Sequence, residues 1–246
     1  MKKLCKFLFV LFVFLAFGQT VWAQNQTIDL STVDESITVA DGTTLTGTLG
    51  TNVQIAIADG ATVTLDNISI DGESIYGFNM PGLLCHGDAT LILAEGTTNT
   101  VKVFDRIYDN IYDFPAIYVP QNKTLTIRGT GTLNAISTGM GCGIGGGFEG
   151  YQHSGNIVIE GGIINATGGY GCAGIGCSFA DYDYISSSCG NITIIGGTVN
   201  AQGGYGAAGI EVDRDRISGE GADGDFSHHA AYVYCATSDI RIRTCA

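Results

Sequence analysis

From residue 37 onward, short segments in which apolar and polar residues alternate recur along the chain, cut every few residues by glycine or by an acidic residue followed by glycine. Ile37-Thr-Val, Gln54-Ile-Ala-Ile, Thr62-Val-Thr-Leu, Ile68-Ser-Ile, Thr90-Leu-Ile-Leu, Thr100-Val-Lys-Val and Ala116-Ile-Tyr-Val have this form. Asp41-Gly42, Asp59-Gly60, Asp71-Gly72 and Glu95-Gly96 punctuate them. A period of two over three to five residues predicts β-strands with one buried side, and the punctuation predicts turns. No stretch beyond the N-terminal segment keeps a helical period. The spacing, about one strand per 8–12 residues, also suits a sandwich or a barrel.

The repeat decides between these. Gly155-Asn-Ile-Val-Ile-Glu-Gly-Gly-Ile-Ile-Asn-Ala-Thr-Gly-Gly-Tyr-Gly-Cys-Ala-Gly-Ile-Gly returns 35 residues later as Gly190-Asn-Ile-Thr-Ile-Ile-Gly-Gly-Thr-Val-Asn-Ala-Gln-Gly-Gly-Tyr-Gly-Ala-Ala-Gly-Ile. A looser copy precedes them, Thr124-Leu-Thr-Ile-Arg-Gly-Thr-Gly-Thr-Leu-Asn-Ala followed by Gly141-Cys-Gly-Ile-Gly. Asn134, Asn165 and Asn200 are then equivalent, at offsets of 31 and 35. Each copy carries three strand signals and is too small to bury its own apolar side. Stacking the copies makes one continuous core, with strands about 4.8 Å apart. The expected fold is an all-β parallel β-helix, a single-stranded solenoid with irregular loops.

Composition narrows the reading. Gly is high at 37 residues and Pro low at 3, while 45% of residues are hydrophobic, which excludes disorder and collagen. Lys2, Lys3 and Lys6 precede an apolar run from Phe7 to Phe17, and Val21-Trp22-Ala23 supplies small residues before a cut at Gln24. Residues 1–23 read as a signal peptide, and the run is shorter than the roughly 20 residues a membrane span needs. Three lysines and no acids leave with it, so the net charge of −13 becomes −16. Such a surface repels nucleic acid and anionic lipid. It suits solubility, or cations held by carboxylates. The expected organisation is a β-helix over 24–211 and a non-repeat segment over 212–246, either a C-terminal cap or an aberrant tail. A monomer, secreted, cell-surface or periplasmic, is expected.

Thr62-Val-Thr-Leu-Asp-Asn-Ile-Ser-Ile, Leu91-Ile-Leu-Ala-Glu-Gly-Thr-Thr-Asn-Thr-Val, Ala116-Ile-Tyr-Val, Leu125-Thr-Ile-Arg-Gly-Thr-Gly-Thr-Leu-Asn-Ala and the Gly-Gly-Thr-Val-Asn-Ala copies together resemble a bacterial family. It comprises carbohydrate-binding domain-containing β-helix proteins, right-handed and similar to pectate-lyase-like polysaccharide lyases. The resemblance covers roughly residues 60–211. It implies a right-handed helix and an extracellular protein that binds polysaccharide, with Ca²⁺ as the expected ion. It assigns no site residue.

Candidate residues come from the pattern. Tyr170 and Tyr205 hold the same repeat position and are expected to stack on one side. Phe148, Tyr151, Tyr182 and Tyr184 lie in insertions between copies, as does Phe179. Sugars pack their C–H faces on aromatic rings, so these residues form a candidate carbohydrate platform. The alternative is that the tyrosines cover the edge of the core. Asp105, Asp109, Asn110 and Asp113, in a repeated Ile-Tyr-Asp segment, offer oxygens to Ca²⁺, with Asp181/Asp183 and Asp223/Asp225 as thinner versions. The alternative is solvated carboxylates, since the spacing departs from an EF-hand loop. Cys142 and Cys172 are equivalent and are candidates for a bond between stacked coils, while Cys177 and Cys189 flank one insertion. Cys142 and Cys172 as buried thiols is the other reading.

A lyase needs a base and a cation beside a uronate. Lys102, Lys123, Arg106 and Arg128 are its few candidates, and no repeat logic gathers them. His86 and His153 stand alone, and His228-His229 lies in the tail. The expected function is non-catalytic polysaccharide binding. A structural or adhesin-like surface protein and a β-helix lyase or hydrolase are the alternatives.

Overall fold

The computed structural model describes residues 26–73, 75, 79–104, 114–147, 151–177 and 188–211, and the backbone of 233–235 and 240–245. β1 (Thr27–Asp29), a single 3₁₀ turn (Leu30–Thr32) and β2 (Ile37–Val39) come first. β3 (Thr43–Thr48) and β4 (Ile55–Ile57) follow, then β5 (Ala61–Asp71) and β6 (Leu83–Cys85). Three-strand coils come next: β7 (Ala89–Leu93), β8 (Thr98–Val103) and β9 (Ile117–Tyr118), then β10 (Thr124–Gly129), β11 (Thr132–Ser137) and β12 (Ile144–Gly145). β13 (Asn156–Ile159), β14 (Ile163–Thr167) and β15 (Ile175–Gly176) repeat the pattern. β16 (Ile192–Ile194), β17 (Thr198–Tyr205), β18 (Val233–Cys235) and β19 (Ile240–Cys245) end the described chain.

The described strands pair in parallel, each with its counterpart in a neighbouring coil. They make one 13-stranded sheet and one of six strands. The larger sheet is bent along its length: residues 61–65 of β5 pair with β7, while residues 69–71 pair with β8. The solenoid therefore has three faces. The first stacks β5, β7, β10, β13 and β16, the second β5, β8, β11, β14 and β17, and the third β2, β4, β6, β9, β12 and β15. The protein is an all-β parallel solenoid.

Register explains the alternation read in the sequence. Ile37, Ile55, Leu83, Ile117, Ile144 and Ile175 lie opposite one another in turn up the third face, and Ile210 bridges to Ile175. Val63, Leu91, Ile127, Ile159 and Ile194 form a column on the first. Nearly all of these side chains are fully buried. A period of two puts every second side chain inward, and stacking makes the inward set continuous.

The Asp-Gly signals do more than turn the chain. Asp41 Oδ1 accepts from Thr62 N–H at 2.8 Å and Asp59 Oδ1 from Asp88 N–H at 2.8 Å, and Asp88, which follows a glycine instead of preceding one, accepts at Oδ1 from Thr124 N–H at 2.7 Å. Each carboxylate thus staples its own coil to the next. The Asp88 N–H first, and Lys123 at 3.3 Å second, hold Asp59 below the ordinary carboxylate range. A lowered folded value stabilises the fold at higher pH and loses that contribution as pH falls through it. Thermal melting is therefore expected to shift down between neutral and strongly acidic buffer, by less in Asp59→Asn than in the parent protein.

Cys177 and Cys189 form the disulfide expected of them, with Cα atoms 5.4 Å apart across a separation of 12 residues. Reduction is expected to lower stability by about 3 kcal/mol, the chain-entropy value for a loop of this size. Urea unfolding with and without reductant measures it.

The expected bond between Cys142 and Cys172 is absent: both are free and buried. β12 and β15 pair Ile144 with Ile175, so Cys142 counts back to Ala173 and stands one position out of step with Cys172. The thiols pack with Ala173 and Met140 instead. Burial first, and Cys172 beside it second, raise the Cys142 thiol well above its usual value.

The segment from residue 212 has no copy of the repeat, yet its described strands extend the ladders. Ile192 pairs with Val233, and Val199, Asn200 and Ala201 pair with Ile240, Arg241 and Ile242. Its Ile-Arg-Ile-Arg alternation keeps the period while changing the residues.

Candidate functional site

Tyr170 lies just past the end of β14 and Tyr205 is the last residue of β17, where the second face turns toward the third. Asn165 pairs with Asn200 in register, so the two tyrosines start from matched positions. Gly204 lies so near the coil below that a Cβ on it would meet the Gly169 carbonyl oxygen at 1.8 Å. Successive turns thus touch through their backbones, and the tyrosines beside them are held outward. Their rings stack with centroids 5.5 Å apart and planes 14° from parallel. They are 59% and 66% exposed, the most exposed large apolar side chains among the described residues. Rings that merely sealed the core edge would be mostly covered.

Tyr151 belongs to a different cluster. Its ring meets Tyr118 edge-on at 4.7 Å and Phe114 at 5.2 Å. Tyr118 has room on the third face because its register neighbours in the following coils are Gly145 and Gly176. Half burial, and then Tyr151, raise the Tyr118 hydroxyl above its ordinary value. Repetition and spacing do not single out Tyr118 or Phe114 as site residues. The available signal is the pair of glycines that flank Ile144 and Ile175, which leave the outer side of two coils bare. Phe148, Tyr182 and Tyr184 lie outside the described residues.

The calcium candidates Asp105, Asp109, Asn110 and Asp113 also lie outside them. Among the described residues no group of three or more His, Cys, Asp or Glu side chains is placed to hold a metal ion. Two of the four lyase candidates are engaged by acids. Lys102 pairs with Glu73 and lies 3.9 Å from Asp71, and Lys123 pairs with Asp59. Arg128 projects outward on the first face, and Arg106 is outside the described residues. His153 Nδ1 accepts from the Ser188 backbone N–H at 3.2 Å, which anchors the chain beside the disulfide.

Beside the tyrosines runs a ladder of amides. Asn165 Nδ2 donates to Asn134 Oδ1, and Asn200 Nδ2 to Asn165 Oδ1, both at 2.8 Å. The three positions that the repeat made equivalent therefore bond directly to one another. Each amide satisfies the next, so the ladder fixes coil-to-coil spacing on this side of the solenoid.

Three segments of the chain, residues 125–148, 157–179 and 192–210, match the family model described as Beta helix repeat. They coincide with the coils from β10 to β17 that carry the amide ladder and the tyrosines. No curated protein and no solved structure gives a significant match. The matched repeat defines a coil and its stacking. The Cys177–Cys189 bond is of the kind that persists in oxidising, extracytoplasmic compartments.

Proposed function

We propose that this protein is exported and binds polysaccharide without transforming it, using Tyr170 and Tyr205 as its platform. The observation that carries the reading is the stacked, largely exposed pair of rings on turns fixed by the solenoid. Exposed apolar rings on a rigid frame offer sugar C–H faces a surface already ordered before binding. The engagement of Lys102 and Lys123 by carboxylates supports binding rather than lyase chemistry. The signal-like N-terminus and the disulfide support a secreted or cell-surface location. Calcium enters the proposal only through the acidic segment around Asp105 to Asp113.

A glycan-array screen on residues 24–246, with and without calcium, tests the reading. The parent protein is expected to bind at least one glycan, and the Tyr170→Ala/Tyr205→Ala double variant to lose about tenfold or more in affinity, from two ring contacts each worth roughly 0.5–1.5 kcal/mol. Circular dichroism on the variant checks that its fold is kept. Absence of binding to any glycan in either buffer would sink the proposal.

A further inference from the structure

The spacing of the two rings narrows the ligand, provided that the carbohydrate proposal holds. The ring centroids are 5.5 Å apart, a little more than the strand spacing of about 4.8 Å. Each coil thus contributes one ring, and the pair is aligned along the solenoid axis. Aromatic carbons in contact lie about 3.5–4.0 Å apart, so nearly parallel rings with centroids at 5.5 Å must be slipped sideways. They overlap like tiles, and each leaves part of a face open, in keeping with exposures of 59% and 66%.

The coil beneath extends the row. Tyr170 N–H donates to the Gly139 carbonyl at 2.7 Å, which brings the turn carrying Met140 directly below. Met140 is partly buried against Cys142, Cys172 and Ala173. Met140, Tyr170 and Tyr205 therefore form an apolar stripe with one residue per coil. The amide ladder of Asn134, Asn165 and Asn200 comes from the same three coils and holds their separation. The stripe is rigid in the one dimension that matters to a polymer.

A polymer lying along such a stripe meets every contact in the same phase only if its own repeat matches the coil rise. A sugar ring in an extended β-linked chain advances by about one ring length, close to this spacing. A glycan whose linkages make it curl leaves the row after its first contact. We infer that the ligand is an extended, β-1,4-linked glycan lying parallel to the solenoid axis, with one sugar on each of Met140, Tyr170 and Tyr205.

Titration calorimetry with mono-, di- and trisaccharides of the cello- and chito-series, against the curved malto-series, tests this on the intact protein. Affinity for at least one extended series is expected to rise roughly fivefold to tenfold per added sugar as far as the trisaccharide, with the malto-series showing little rise. Tyr205→Ala should remove the gain from one added sugar, and Tyr205→Phe, which keeps the ring, should restore it. Equal affinity for extended and curved chains, or no gain beyond the monosaccharide, would overturn the inference and leave carbohydrate binding standing. No binding of any glycan would overturn both.

Discussion

Gly145→Ala is expected to destabilise the protein by about 3–5 kcal/mol, the range of severe backbone and packing faults. Gly145 has φ of 130°, a conformation that side chains rarely adopt. A Cβ there would also stand 1.9 Å from the Gly176 carbonyl oxygen. That oxygen cannot retreat freely, because it accepts from Gly146 N–H at 2.9 Å and ties one coil to the next. Relief of the clash therefore breaks a ladder bond in the buried stack. Gly96 is the control: its φ is also positive, at 71°, but nothing lies within 4 Å of a Cβ added to it. Gly96→Ala should cost only about 1 kcal/mol, from backbone strain alone. Urea unfolding of the two variants separates the effects. Equal losses would mean that coil contact at Gly145 is not what demands glycine.

Asn99→Leu is expected to cost about 3 kcal/mol although leucine is the more hydrophobic residue. Asn99 is fully buried, the one buried amide side chain among the described residues. Its Oδ1 accepts from Ile68 N–H at 3.1 Å, and its Nδ2 donates to Thr97 Oγ1 at 3.1 Å and to the Thr132 carbonyl at 3.2 Å. One side chain thus joins β5, β8 and β11 at the corner where the larger sheet bends. Leucine fills the space but leaves a buried N–H and a buried carbonyl without their partner, each costing roughly 1–3 kcal/mol. Asn99→Asp keeps an acceptor, loses the donors and buries a charge, so it should recover part of its stability when acid neutralises it. Chemical unfolding at neutral and acidic pH measures both. A loss below about 1 kcal/mol in the leucine variant would mean that water replaces the amide.

The two residues differ in how far the sequence announces them. Gly145 belongs to a Gly-Ile-Gly copy, and repetition marks it as part of a coil. Asn99 shares the inward parity of Val101 and Val103, but it is polar, so the apolar pattern that marks the strand in the sequence begins only at Thr100. The column of isoleucines and the equivalence of Asn134, Asn165 and Asn200 were legible because stacking turns equal repeat positions into neighbours in space. The aromatic cluster was only partly legible. Tyr151 comes from one turn and Phe114 from another, and their rings meet edge-on with no shared repeat position to announce it. The cysteines misled, because one extra residue before Ile175 sets Cys142 against Ala173 and leaves Cys172 out of step with it. Past Ile210 the copies stop while the period persists, so a search for repeated residues misses strands that alternation alone would place.

The 35-residue step between Asn156 and Asn191 makes this solenoid a protein whose length can be edited. Both asparagines follow glycine and precede isoleucine, so excising residues 156–190 joins Gly155 to Asn191 and preserves the local sequence. Cys177 and Cys189 leave together, and no thiol is orphaned. Asn200 would then descend one floor onto Asn134, closing the amide ladder over the gap, while Tyr170 departs with its storey. Such an excision shortens the molecule by a single measured step, and doubling the same segment would lengthen it by one. Copies of this segment thus set reach in whole increments, as rungs are added to a rope ladder, with the same core continued from one to the next.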